Sequence, residues 1–257
     1  MSSVLRHNAA RFGLRMRPDG YARVDDMLAL PKFRGHNLAA VRAVVDADEK
    51  NRYNLKQETD SSGLTAWWVR ANQGHSMQTV TIEMRELVDP TSIPMAVHGT
   101  KLLAWNSIVR QGLSRMTRQH IHFAQGLASD QGVVSGMRKT SEVLVFIDVA
   151  KAMESGIKFF ISENGVVLTP GNAQGFLPPQ FFSRVENAET GSPIDGISGP
   201  RQPMPLATAE PASLESAGKV IEGTEKIDDD DEEDAEAAWA AIAAKTASIE
   251  LQDSVAA

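Results

Sequence analysis

Hydrophobic residues in the chain first recur at helical spacing. From Val4 to Phe12 the pattern reads helical, with Gly13 as its stop. Leu38, Val41, Val44 and Val45 fall on one side of a helix over Leu38–Asp48. Between these, Asp19–Gly20 marks a turn, Tyr21–Val24 a short strand, and Asp25 or Asp26 a cap for a helix through Leu30. Tyr53–Gln57 and Trp67–Arg70 then flank the turn-rich Thr59–Gly63, as the arms of a hairpin do. Helices followed by a hairpin predict a winged-helix unit over residues 1–90.

The second half alternates more quickly. Pro94–His98 and Ile121–Phe123 read as short strands, and Glu142–Val149 as a strongly apolar one. Lys101–Gln111 reads as a helix ending at Gly112, and Lys158–Ile161 with Val166–Thr169 as a hairpin across Glu163–Gly165. Many short strands with few helices predict an α+β architecture over residues 91–186.

Composition changes the picture beyond that point. Asn187–Gly218 is rich in Gly, Pro, Ser and Ala and too poor in apolar residues to offset its ordering entropy. Asp228–Asp234 is an unbroken acidic run, and alanine-rich Ala235–Glu250 reads as a short helix. Residues 187–257 are thus expected to form a disordered, low-complexity acidic tail. The chain of 257 residues carries a net charge of −7, which argues at first against an anionic partner. Residues 201–257, however, hold fourteen acids and four bases, a net of −10, which leaves +3 for the rest. The mildly basic body is compatible with RNA, and the tail could compete with RNA for it.

With no cysteine there is no disulfide framework, thiolate metal site or cysteine nucleophile. No secretory signal or membrane span is expected, and an intracellular location, cytoplasmic and/or nuclear, follows. Phosphate-loop, dinucleotide-fold and nucleophile-elbow motifs are absent, which disfavours those enzyme classes.

The remaining chemistry lies in histidines and arginines. Arg6–His7 could fork onto a phosphate and donate or shuttle a proton, or could form a solvated helix face. Arg70 and the loop Asn72, Gln73, Gly74 and His75 follow an apolar strand and suit an anion or a ribose, or a polar turn. His98–Gly99–Thr100 closes a strand ahead of a helix. His120 and His122 share one strand face, but no acidic or thiolate group completes a metal site, so none is expected. Arg138 precedes the buried strand and is either a site residue or a surface cation.

In order and spacing these segments are specific. Val4-Leu5-Arg6-His7, Asp19-Gly20-Tyr21, Arg70 through Ser76, His98-Gly99-Thr100, His120-Ile121-His122, Gly136-x-Arg138 and Asn164 through Thr169 resemble the tRNA 2′-phosphotransferase family over roughly residues 2–185. The resemblance implies a winged-helix lobe packed on a lobe of the ADP-ribosyltransferase fold. It also implies an NAD-dependent transferase acting on the internal 2′-phosphate that ligation leaves at a tRNA splice junction. NAD+ would take the phosphate as co-substrate, without a metal, giving 2′-hydroxyl tRNA, ADP-ribose 1″,2″-cyclic phosphate and nicotinamide. Arg6, His7, Arg70 and Arg138 match the family's catalytic tetrad. His98, Gly99 and Thr100 resemble its NAD-binding triplet, with Ile108, Gly112, Leu113 and His122 lining the same pocket. The partner would be 2′-phosphorylated RNA, and the enzyme a monomer. Family members carry a longer first helix, whereas Met1 stands five residues before Arg6, which predicts a short helix that frays. The alternatives are an ADP-ribosyltransferase capping nucleic-acid terminal phosphates and a catalytically weak RNA-binding protein.

Overall fold

A computed structural model describes residues 1–127 and 140–194. In chain order its strands are β1 (Ala22–Arg23), β2 (Tyr53–Thr59), β3 (Thr65–Ala71), β4 (Arg85–Glu86), β5 (Val97–Thr100), β6 (Leu113–Ser114) and β7 (Ile121–Phe123), then β8 (Val143–Ile147), β9 (Phe160–Ile161), β10 (Val167–Thr169), β11 (Phe176–Leu177) and β12 (Phe182–Asn187). The α-helices are α1 (Val24–Leu28), α2 (Leu38–Asp46), α3 (Leu102–Gln111) and α4 (Val149–Glu154). All strand pairs are antiparallel, which with the interspersed helices gives an α+β architecture.

The first 71 residues build one hydrophobic core. β2 and β3 pair from Tyr53↔Ala71 to Thr59↔Thr65, and β1 joins β3 on its other edge. Their inner face packs with α1 and α2 around Val24, Met27, Phe33, Val41 and Val69. Asn37 caps α2 by accepting a hydrogen bond from Ala40 N at 3.0 Å. The expected Asp25 or Asp26 cap is replaced by Arg23, so both acids lie in the first turn of α1, where the helix dipole favours them. At the start, Val4–Asn8 forms a π-helical turn and Ala10–Phe12 a 3₁₀ turn, which Gly13 ends at φ +72°. The expected fraying is not seen. Met1, Val4 and Leu5 are buried in this core, so packing holds a helix too short to persist alone.

A second core, sharing no member with the first, gathers buried residues from Leu87 to Val185 around β8. All five β8 residues are buried, because β5 and β12 flank it. A four-stranded sheet, β4-β9-β10-β7, and the small pair β11-β6 complete this half.

Three sequence expectations shift. The strand expected at Pro94–His98 runs instead from Val97 to Thr100, clear of a proline that has no N–H to donate. Val149 starts α4 rather than ending a strand, because Asp148 accepts from Lys151 N at 3.0 Å. The tail expected from Asn187 begins as ordered chain: the Asn187 side chain accepts from Glu189 and Thr190 N, and Ile194 returns to bond Val185. The acidic run and the helix expected over 235–250 lie outside the described residues.

Candidate anion site between the two cores

The N-terminal turn delivers Arg6 into the protein at 3% exposure. Its carbonyl accepts from Ser76 N at 3.1 Å, which lays the loop after β3 across it. That loop passes closely because Gly74, at φ +86°, lacks a side chain. A Cβ there would stand 3.4 Å from Arg6 Cδ and Nε. His7 Nδ1 and Ser76 Oγ are hydrogen-bonded at 2.9 Å. Asn72 anchors the loop from beneath, its side-chain N–H donating to the Asn51 carbonyl at 2.8 Å, and Gln73 is half-buried.

Arg70 reaches the same region from β3. Its guanidinium stacks on Tyr21, 4.7 Å from the ring centroid, and donates through Nη2 to Glu163 at 2.6 Å. His75, 3% exposed, lies within the field of Arg6, His7 and Arg70. Burial foremost, and then those cations, push its pKa down to about 3, so its imidazole is neutral at physiological pH. Among the described residues, Arg6 Nε and Nη2, Arg70 Nε and His75 Nε2 are buried without a hydrogen-bond partner. Leaving such groups unpaired costs about 1–3 kcal/mol each. The gathering is thus strained by its own charge and suited to an anion.

The second core contributes the other wall. His98 Nδ1 donates to the His122 carbonyl at 2.9 Å, since a carbonyl can only accept. The His122 pKa is held well below its ordinary value by burial, with Arg118 and Arg6 adding to it, which places His122 within the field of the first cluster. β5 is an edge strand whose residues alternate in direction. Ala96 O and Thr100 O bond toward β8, while Val97 exchanges both its bonds with Ala124 on the other side. Alternation turns the Gly99 N–H and carbonyl to that open side, next to no strand among the described residues.

The other expected residues come from the second half of the chain. Ile108 packs against the second core. Leu113 is 2% exposed inside it and pairs with Leu177, so its side chain is a core contact. Gly112, at φ +94°, lies beneath the Leu177 carbonyl, 2.3 Å from where a Cβ would stand. Arg138 lies outside the described residues. Tyr21, expected as the start of a short strand, also stacks on Arg70, and Asn54 and Glu163 carried no chemical signal in the sequence. An open groove of about 460 Å³, lined in part by Gln78, Thr81, Arg115 and His120, adjoins the His75 loop, which Gln119 ties down by donating to Met77 O and Val80 O. No group of three or more His, Asp or Glu side chains able to hold a metal occurs among the described residues. Nor is any described helix long and apolar enough to cross a membrane.

Buried arginines, neutral imidazoles and an open strand edge are groups whose chemistry suits a phosphorylated, nucleotide-like ligand. The sequence profile described as RNA 2′-phosphotransferase, Tpt1 / KptA family matches residues 1–171, and the chain belongs to that family. It is 42% identical over 221 residues to the Mus musculus protein named tRNA 2′-phosphotransferase 1, covering 86% of this chain and 84% of that one. The Homo sapiens protein of the same name is 42% identical over 220 residues, covering 85% and 82%. A Schizosaccharomyces pombe relative is 44% identical over 201 residues, 78% of this chain, which spans only 53% of that protein's length.

Proposed function

We propose that this chain is an NAD+-dependent tRNA 2′-phosphotransferase. Its substrate would be RNA carrying an internal 2′-phosphate at a splice junction, and its products 2′-hydroxyl RNA, ADP-ribose 1″,2″-cyclic phosphate and nicotinamide. The observation that carries this reading is the set of buried arginine and histidine nitrogens at Arg6, Arg70 and His75, without partners among the described residues, in a member of this family.

In this reading Arg6 and Arg70 hold the 2′-phosphate, with Arg138 as the third cation. Fixed guanidinium groups in a water-poor site stabilise charge that builds on phosphate oxygens without reorganising. His7, oriented by Ser76, donates or accepts the proton at the reacting oxygen. The loop Asn72–His75 shapes the phosphate pocket, and the neutral His75 contributes hydrogen bonding without adding charge.

The residues on β5 fit NAD+. The open N–H and carbonyl of Gly99 match the acceptor and donor of a carboxamide, and His98 and Thr100 beside it suit ribose hydroxyls. His122 Nε2, buried and without a partner among the described residues, is a further polar group for that ligand. Bound there, NAD+ would supply an electrophilic ribose carbon as the phosphate acceptor. Ile108, Gly112 and Leu113 would form the apolar back of the pocket. Residues 1–90 would act as a winged-helix RNA-binding lobe and residues 91–186 as an ADP-ribosyltransferase-like lobe. The two separate cores support that division. The enzyme so assigned is an intracellular monomer that needs no metal.

The test is incubation with a 2′-phosphorylated oligoribonucleotide and NAD+. Dephosphorylated RNA with the cyclic phosphate is expected. Accumulated ADP-ribosylated nucleic acid would instead make the chain a capping transferase, and binding without turnover an RNA-binding protein.

A further inference from the structure

The guanidinium of Arg70 is restrained on three sides. Nη2 donates to Glu163 Oε2 at 2.6 Å, Nη1 to the Asp19 carbonyl at 3.3 Å, and Tyr21 lies against its face. The other carboxylate oxygen of Glu163 accepts from Asn54 Nδ2 at 2.7 Å. Asn54 stands opposite Arg70 in the β2–β3 ladder, and its Oδ1 accepts from the Tyr21 hydroxyl at 2.8 Å. Tyr21, Asn54, Glu163 and Arg70 therefore form a closed ring, to which Glu163 alone comes from the second half of the chain.

The backbone beneath Glu163 is itself fixed. It occupies the β9–β10 turn, where Ser162 Oγ bonds Asn164 Oδ1 and Val166 N, and Gly165 takes φ +79°. Gln125 Nε2 donates to Gly165 O at 2.6 Å, and Asn164 Nδ2 to Lys50 O at 3.0 Å. A carboxylate on so rigid a turn sets a definite place for its partner. As glue between the two halves it counts for little, because the Glu163 side chain is 46% exposed and exposed ion pairs add little stability. Its effect is to select one rotamer of a long cationic side chain that otherwise has many.

We propose that Glu163 is a positioning residue, which with Asn54 and Tyr21 orients the Arg70 guanidinium toward the phosphate. The proposal rests on the reading that Arg70 contacts that phosphate. Single-turnover rates on a 2′-phosphorylated oligoribonucleotide test it. Glu163→Ala should slow turnover about tenfold, because a misplaced catalytic group loses rate steeply. The half-saturating NAD+ concentration should stay within about twofold, the split expected when only transition-state contacts are lost. Glu163→Gln should recover to within about threefold of wild type, since its amide oxygen still accepts from Nη2. In an Arg70→Ala background, Glu163→Ala should cost nothing further, because a residue that acts through Arg70 has no effect without it.

A wild-type or faster rate for Glu163→Ala would overturn the proposal, the latter showing that the carboxylate competes with phosphate for Arg70. Additivity with Arg70→Ala, or Glu163→Gln as slow as Glu163→Ala, would overturn it as well. A second readout needs no turnover. The Arg70 Nε–Hε signal in 15N-labelled protein, assigned by its loss in Arg70→Ala, should shift and exchange faster with water in Glu163→Ala. An unchanged signal would refute the restraint. Absence of turnover in the wild type would remove the proposed function and leave this measurement to decide the restraint.

Discussion

Replacing Arg6 with methionine should make the protein more stable and nearly inactive. Arg6 is 3% exposed, and among the described residues two of its nitrogens have no partner. Each unpaired buried donor costs about 1–3 kcal/mol. Methionine fills the space of the aliphatic stem without that cost, while imperfect repacking returns about 1 kcal/mol. The balance is a gain of about 1–5 kcal/mol, or a rise in melting temperature of about 3–15 °C for a chain of this size. Turnover should fall at least about 100-fold, as when one charge-stabilising donor is removed. Urea unfolding with single-turnover kinetics reads both quantities. Inorganic phosphate should stabilise the wild type, by about 2.7 kcal/mol at one hundred times its Kd, and leave the variant unchanged. A variant less stable than wild type, or stabilised equally by phosphate, would refute the view that Arg6 is held at a cost for an anion.

Arg138→Ala should slow turnover at least about tenfold, about 1.4 kcal/mol of transition-state stabilisation, and a near-normal rate would remove Arg138 from the site. Gly112→Ala should destabilise by at least about 2 kcal/mol, because its Cβ would fall 2.3 Å from the Leu177 carbonyl at φ +94°. Unfolding within about 0.5 kcal/mol of wild type would contradict that packing. His75 is neutral when folded down to about pH 3, whereas in the unfolded chain it protonates below about 6.5. The unfolded state therefore binds more protons across that window, and stability falls as pH falls, by up to about 1.4 kcal/mol per pH unit. His75→Asn should flatten the dependence between pH 6.5 and 4.5, and a curve parallel to wild type would show that His75 is not its source.

Much of the fold was legible because its elements carry local signals. The hairpin, the helices at Leu38 and Lys101, and the buried strand at Val143 lie within a few residues of their expected places. What was not legible depends on partners distant in sequence. β12 is polar enough to read as loop, and is a strand because β8 needs a second neighbour. β5 lies clear of Pro94 because its ladder with β8, a strand some forty residues further on, runs from Val97 to Thr100. Arg6, His7 and Arg70 gather around His75, while Arg138, expected beside them, lies outside the described residues. Glu163 could not be foreseen, because nothing in a Ser-Glu-Asn-Gly turn says that it meets an arginine 93 positions earlier.

The two cores share no residue, and this bears on how the protein can vary among its relatives. Substitutions inside either core affect only that core's packing, so each half can drift at its own pace. The seam is under another rule. Asn54 and Arg70 meet Glu163, side chain to side chain, across about one hundred residues of sequence. A change on one side leaves a donor or a carboxylate facing nothing, so these positions should change together across the lineage. A hybrid that joins the first half of one relative to the second half of another should fold through both cores, and lose its activity at the few pairs where the halves meet.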